Sequence, residues 1–327
     1  MDRTKFFACS CRWNPPEGGA FSPSAATVSQ QTPLRKGPSR SRSVLKHAIV
    51  ALACLVLLLP LVCPAPGWSA AGALRWNDDM LARIPRDVET FSFLVLGDTR
   101  GPGSKFPAVL AAMNEERDVL FALDVGDLVN YSRSPEDYEK EFFAPAKKAS
   151  MPLLAAMGNH ERAADPKGLL YQRLVGDPWY AFSVGDAVFL VLDNSNAHSL
   201  GREQERWLEE RLFEARKARF RFVFLHVPLE DPRGGRFKHA MSDPSYARKL
   251  LEIFERGNVT LLFASHVHAY YAGRWGKIPF IVTGGGGASL YGKDPAASFY
   301  HYLRVDVDTT VPEPEKALRI TVRPVHP

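Results

Sequence analysis

Two aspartates, one asparagine and three histidines stand just past the ends of apolar runs, and side chains of these types bind divalent cations. They fall into five clusters, in chain order Gly97-Asp98, Gly126-Asp127, Gly158-Asn159-His160-Glu161, His226 and His266-Val267-His268. Asp98, Asp127, Asn159, His226, His266 and His268 offer oxygen or nitrogen donors, and His160 adds an acid or phosphate contact. Two divalent ions sharing one carboxylate need about that many donors. The inventory reads as a two-metal hydrolytic centre. Each cluster taken singly has a plainer explanation. An Asp after a strand and a Gly is commonly a turn or cap residue, and a lone His such as His226 is commonly a satisfied core group. His266 and His268 say more, because residues i and i+2 of an extended segment point to the same side. The plain explanations do not account for five clusters that all follow apolar runs.

Those runs must position the donors. Residues 91–96, 119–125, 152–157, 187–192, 220–225, 259–264 and 278–282 predict strands. Residues 106–116, 135–148, 203–217 and 246–256 predict helices between them. The 203–217 stretch sets Trp207, Leu208, Leu212 and Ala215 on one side, so it is read as a packing helix without chemistry. Near-continuous apolar strands flanked by helices describe sheets covered by other layers. In such folds ligands gather beyond the carboxyl ends of the strands, which is where every candidate donor lies.

The five clusters resemble those of the calcineurin-like metallophosphoesterase family, whose pattern runs Asp-x-His, Gly-Asp, Gly-Asn-His-Asp/Glu, His, Gly-His-x-His. The resemblance covers most of residues 90–290. Glu203-Gln204-Glu205-Arg206-Trp207-Leu208 and Thr283-Gly284-Gly285-Gly286-Gly287-Ala288 are similar to features of the secreted, purple-acid-phosphatase-like branch. The resemblance implies an α/β fold, a four-layer α/β/β/α sandwich of two mixed sheets flanked by helices, with metals between the sheet edges. It implies Asp98 and His268 on a first metal, Asp127 bridging, and Asn159, His226 and His266 on a second. His160 would stand beside the leaving-group oxygen as general acid or phosphate contact. Two divalent ions (Mn, Fe or Zn) about 3.5–4 Å apart would lower the pKa of a shared water and oppose phosphoryl charge. The implied substrate is a small phosphorylated molecule and the implied reaction is phosphomonoester hydrolysis. A phosphodiesterase or nucleotide pyrophosphohydrolase is one alternative, and a phospho-ligand-binding relative with weak catalysis is another. Glu161 is expected to orient the imidazoles.

This chain also departs from the pattern. Arg100 replaces the first histidine, and arginine is no ordinary metal ligand. It is read as a grip on the substrate phosphate or as a surface ion pair. The tyrosine that serves the purple acid phosphatases three residues after the bridging Asp is Asn130 here, with Tyr131 next, and either is a candidate ligand. Ser265 replaces the last motif's glycine, a small change. Gly284–Gly287 lacks a following Gly-Lys-Ser/Thr, so it reads as a tight turn near the metals rather than a nucleotide loop. His47, His198, His239, His301 and His326 belong to no motif and are read as surface or structural. Residues 130–145, 163–179 and 229–244 are expected to shape the substrate site.

The 327-residue chain divides into residues 1–43, 44–73 and 74–327. The first part is rich in Ser, Pro, Gly and Arg without hydrophobic period and is expected to be disordered. In the second, Lys46 and His47 precede an apolar run from Ala48 to Val62, and Ala71-Gly72-Ala73 follows. That order describes a cleaved secretory signal, with an uncleaved membrane anchor as the alternative. Val44 as an alternative start would give the signal a normal short n-region. The expectation is an exported, periplasmic or secreted catalytic domain over 74–327, touching membrane only through residues 44–73 if these are retained. The leader holds most of the positive charge: residues 1–70 carry +6 and the whole chain +5. The remainder is near neutral, so no nucleic-acid partner is indicated. Cys9, Cys11, Cys54 and Cys63 all precede residue 74, which leaves 74–327 without disulfides.

Overall fold

The computed structural model describes residues 74–234, 238–292 and 294–327. The proposed leader and signal lie outside the described residues. Among those residues, no helix is long and apolar enough to cross a membrane.

Two mixed sheets form the centre. The strands are β1 (Thr90–Leu96), β2 (Val119–Asp124), β3 (Leu153–Ala155), β4 (Tyr180–Val184), β5 (Ala187–Val191), β6 (Phe220–Phe224), β7 (Leu261–Ala264), β8 (Tyr270–Trp275), β9 (Ile278–Thr283), β10 (Tyr300–Asp308) and β11 (Leu318–Val325). One sheet has the order β11-β10-β1-β2-β3 and the other β4-β5-β6-β7-β9-β8. β1, β2 and β3 run parallel, as do β5, β6, β7 and β9. The outer pairings β1/β10, β10/β11, β4/β5 and β8/β9 are antiparallel.

Strand alternation builds the layers. On β1, Phe91, Phe93 and Val95 point between the sheets, while Leu94 and Leu96 point outward to the helix layer. On β6, Phe220, Phe222 and Phe224 point inward and Val223 outward. The inter-sheet core is aromatic: Phe93 stacks on Phe121 at 5.3 Å and meets Phe189 edge-on at 5.2 Å. Each fully buried Phe contributes about 2–3 kcal/mol of apolar burial. Helix Phe106–Asn114 covers the first sheet, through Phe106, Val109, Leu110 and Met113. Helices Gly201–Glu214 and Pro244–Arg256 cover the second. The result is the α/β/β/α sandwich that the resemblance implied.

The seven predicted strands all form. The sequence reading missed β4, β8, β10 and β11, which lie at or next to sheet margins. β10 and β11 alternate charged or polar residues with apolar ones, as in Arg304-Val305-Asp306-Val307, and so lack the buried-run signature. The predicted 135–148 helix forms with a change of pitch: α-helical Pro135–Tyr138, a π turn over Glu139–Phe143, then Ala144–Ala146. Helix Pro244–Arg256 starts where Asp243 accepts from the Ser245 and Tyr246 N–H groups.

Candidate metal centre

β1, β2, β6 and β7 end at one rim of the sandwich, and the loops beyond them bring the clusters together. Asp98, Asp127 and His266 adopt left-handed backbone, with φ of 59°, 62° and 67°. Such a conformation costs about 1 kcal/mol or more for a residue with a Cβ. Its recurrence at three candidate ligands marks loops shaped for the site. Two glycines let these loops close. Gly126 has φ of 99°, and a Cβ there would meet the Gly158 N at 2.8 Å and His226 Nδ1 at 2.9 Å. A Cβ on Gly158 would run into the backbone N and Oδ1 of Asp127.

Two groups of donors converge, Asp98/Asp127/His268 and Asp127/His226/His266, each with ligand atoms within 4.8 Å of one another. Asp127 belongs to both. His226 Nε2 lies 3.2 Å from Asp127 Oδ1 and 3.0 Å from Asn159 Oδ1. His268 Nε2 lies 3.3 Å from Asp98 Oδ1.

Backbone carbonyls orient the imidazoles. His226 Nδ1 is 2.9 Å from the Val125 oxygen, His268 Nδ1 2.6 Å from that of Ser289, and His160 Nδ1 2.7 Å from that of Asn130. A carbonyl only accepts, so each Nδ1 carries a proton and donates it. In the neutral rings Nε2 is then the lone-pair atom, and in His226 and His268 it faces carboxylate and amide oxygens. Acceptors that confront one another in a buried site call for positive charge between them. Asp98 Oδ1 makes the same demand, being buried without a well-directed hydrogen bond among the described residues. The residues present therefore fit divalent cations.

Glu161 differs from expectation. Its carboxylate accepts instead from the backbone N–H groups of Asp127 (3.0 Å), Leu128 (2.8 Å), Val129 (3.1 Å) and Gly158 (2.6 Å). It braces the loop that presents Asp127. Burial and then the Asp127 charge push this carboxyl up, to about 7, against the pull of those N–H groups. Asp124 is the last residue of β2. It accepts from Thr99 Oγ1 at 2.7 Å and from the Gly126 N–H at 3.1 Å, tying two clusters together, and burial pushes its pKa well up.

Arg100 lies against the site. Its Nε donates to Asp127 Oδ2 at 3.0 Å and its Nη1 to Asn130 Oδ1 at 3.0 Å, with the side chain 14% exposed. The pairing is thus largely buried, unlike the surface ion pair considered from sequence. Asn130 has given its amide oxygen to Arg100. Tyr131 is exposed, with Arg133 over its ring at 5.4 Å. Glu141, in the π turn, accepts from the Gly101 and Asn130 N–H groups at 2.9 Å each and so fixes both flanks of this contact. Ser265 does more than fill a glycine's place, because its hydroxyl donates to Asp98 Oδ2. The His266 N–H donates to the same oxygen at 2.8 Å.

The remaining charges follow from burial and neighbours. Burial tends to raise Asp98, but a protonated His268, through its charge and hydrogen bond, then His226 and Ser265, hold it below the usual carboxylate range. Burial would lower His268, and Asp98 more than reverses this. His266 is pushed down to about 4 by burial and then by His226. The four-glycine turn packs here as expected: the Gly286 N–H donates to the Gly97 oxygen at 2.9 Å and the Ala288 N–H to that of Asp98 at 2.7 Å.

Three residues escaped the sequence reading. Asn194 is buried, and its amide pairs with both the N–H and the carbonyl of Val227, next to His226. It ends an apolar run just as the other clusters do, and that was the available signal. Gln204, on the helix assigned no chemistry, bonds both backbone groups of Asp193 and so holds that loop. His239 is not a remote surface residue. Its ring lies 5.6 Å from His266 and 5.2 Å from Tyr291, which stacks on His268 at 4.1 Å. Arg233 Nη2 donates to His239 Nδ1. Only the fold brings His239 back beside His266. His301 is buried against Thr283 and Phe299, a structural role.

Residues 91–270 match the profile of the calcineurin-like phosphoesterases. The serine/threonine-protein phosphatase CPPED1 of Homo sapiens is 31% identical over 173 residues, 49% of this chain and 53% of the relative. Its Rattus norvegicus counterpart is 29% identical over 177 residues, with the same two shares. The chain spans about half the length of these curated relatives. Among solved structures, the purple acid phosphatase PPD1 of yellow lupin (Lupinus luteus) has a TM-score of 0.58 at 17% identity, over 73% of this chain and 54% of that one. GAP50, the anchor in the inner membrane complex of Plasmodium, has a TM-score of 0.51 at 17% identity, over 73% and 90%. At that identity the two structures share the fold.

Proposed function

We propose, for a chain that belongs to the calcineurin-like phosphoesterase family, that it hydrolyses phosphomonoesters with two divalent metal ions. The observation that carries this reading is the convergence of Asp98, Asp127, His226, His266 and His268 on adjoining cation positions that share Asp127. Asp98 and His268 would hold one ion and Asn159, His226 and His266 the other. Ions so held lower the pKa of a water and offset phosphoryl charge.

The chain's own residues do the rest. Glu161 and Gly158 keep Asp127 in its left-handed loop. The Val125 and Ser289 carbonyls hold His226 and His268 with Nε2 toward the acidic groups. His160, tethered through Nδ1 to Asn130, keeps Nε2 3.9 Å from Asp127 Oδ2. From there it can hold a proton for the leaving oxygen. Asp98, Asp127 and His226 are themselves buried, which strengthens their charge interactions.

The similarity to named phosphatases favours monoesters. An aryl phosphate and an aryl phosphodiester, offered to Mn2+-loaded chain, test this. Faster release from the monoester is expected, and Asp127→Asn should lower it by several orders of magnitude. A faster diester would change the substrate class. Inactivity on both with bound metal would favour the second reading, a phospho-ligand-binding protein. The Arg100–Asp127 pair is the feature that favours it. The reading includes export, supported by the basic, apolar and small-residue order of residues 44–73. N-terminal sequencing of the cell-derived protein should begin near residue 74. Retained residues 44–73 would mean anchoring instead.

A further inference from the structure

The geometry points to two unequal cation positions, loaded in order, with Arg100 as the residue that weakens one of them. This rests on the metal-dependent reading above. Asp127 divides its oxygens between the positions. Oδ1 lies toward His226, at 3.2 Å from Nε2, and also accepts the His160 N–H at 2.9 Å. Oδ2 accepts Arg100 Nε at 3.0 Å. The position formed by Asp127, Asn159, His226 and His266 therefore gathers four donor side chains on the oxygen that Arg100 leaves alone.

The position formed by Asp98, Asp127 and His268 offers three donor side chains. One of its carboxylates already bears a guanidinium, which stays charged at any working pH. Asp98 is also partly committed, because Oδ2 takes the Ser265 hydroxyl and the His266 N–H, which leaves Oδ1 as its open atom. A divalent ion here must share Asp127 with a fixed positive charge, which raises its dissociation constant. Arg100 is not loosely placed. Its backbone N–H donates to the Asp127 carbonyl at 3.1 Å, Asn130 binds its Nη1, and Glu141 anchors the flanking backbone of Gly101 and Asn130. The cation is thus built into the position that has lost its histidine.

Mn2+ titrated calorimetrically into the metal-stripped full chain tests the inference. Two events are expected, the second weaker by roughly 10- to 100-fold, the range of changes in groups that adjoin metal ligands. Arg100→Gln should narrow the gap by strengthening the weaker event alone, and Arg100→His should narrow it further. Electron paramagnetic resonance of the unaltered chain at one Mn2+ per chain gives a reading that needs no variant. Isolated Mn2+ is expected there, and spin-coupled pairs at that ratio would overturn the ordered loading. Equal events in the unaltered chain, or a gap unchanged in folded Arg100→Gln, would overturn it as well. Absence of any Mn2+ binding would overturn the metal reading itself, a distinguishable failure.

Discussion

Replacing Asn194 by Ala should loosen the candidate centre from behind, without touching a donor. Asn194 is fully buried in the loop just beyond β5. Its Oδ1 accepts the Val227 N–H at 3.0 Å and its Nδ2 donates to the Val227 carbonyl at 2.6 Å. Val227 is itself buried and directly follows His226. Truncation leaves one buried N–H and one buried carbonyl without these partners. Each such loss costs about 1–3 kcal/mol, so destabilisation of roughly 2–6 kcal/mol is expected. In a domain of this size each kcal/mol lowers Tm by about 2–4 °C, which predicts a fall of roughly 4–24 °C. Thermal unfolding by circular dichroism, with and without Mn2+, measures it. Calorimetric Mn2+ affinity provides the second readout, because a shifted Val227 backbone carries His226 with it. An Asn194→Ala chain with Tm within a degree of the parent and unchanged Mn2+ affinity would refute the clamp.

Other outcomes follow from the same structure. Gly158→Ala should cost both stability and Mn2+ affinity, since its Cβ would overlap Asp127, and thermal melts with calorimetry would detect this. Adding Mn2+ to stripped protein at 100 times Kd should stabilise it by about 2.7 kcal/mol, read as a Tm rise of roughly 5–10 °C. The Asp306 carboxyl would be raised by burial, but hydrogen bonds from Ser92, Arg304 and Arg319 hold it below the usual range. A group depressed in the folded state adds stability above its unfolded pKa and loses it as pH falls through the folded one. Asp306→Asn should therefore be less stable than the parent at pH 7, with the difference shrinking toward pH 3, as denaturant unfolding across that range would measure.

Apolar runs such as Phe91–Leu96 were legible because a strand covered on both faces must be hydrophobic at nearly every position, and that local demand shows in the sequence. The donors were legible because few residue types bind divalent ions, and each one here follows such a run. Marginal strands such as β10 were not, since Arg304 and Asp306 are stabilised by partners on Glu116, Ser92 and Arg319, distant in the chain. The same limit applied within the site. Sequence set which residues offer donors, because that is a property of the side chain alone. Tertiary structure decided that Glu161 braces backbone N–H groups, that Asn194 clamps Val227, that His239 returns beside His266 and that Arg100 neutralises one oxygen of Asp127. Hydrogen bonds and charge pairs depend on separations of about 3 Å, and chain spacing does not encode a separation between residues that meet only after folding.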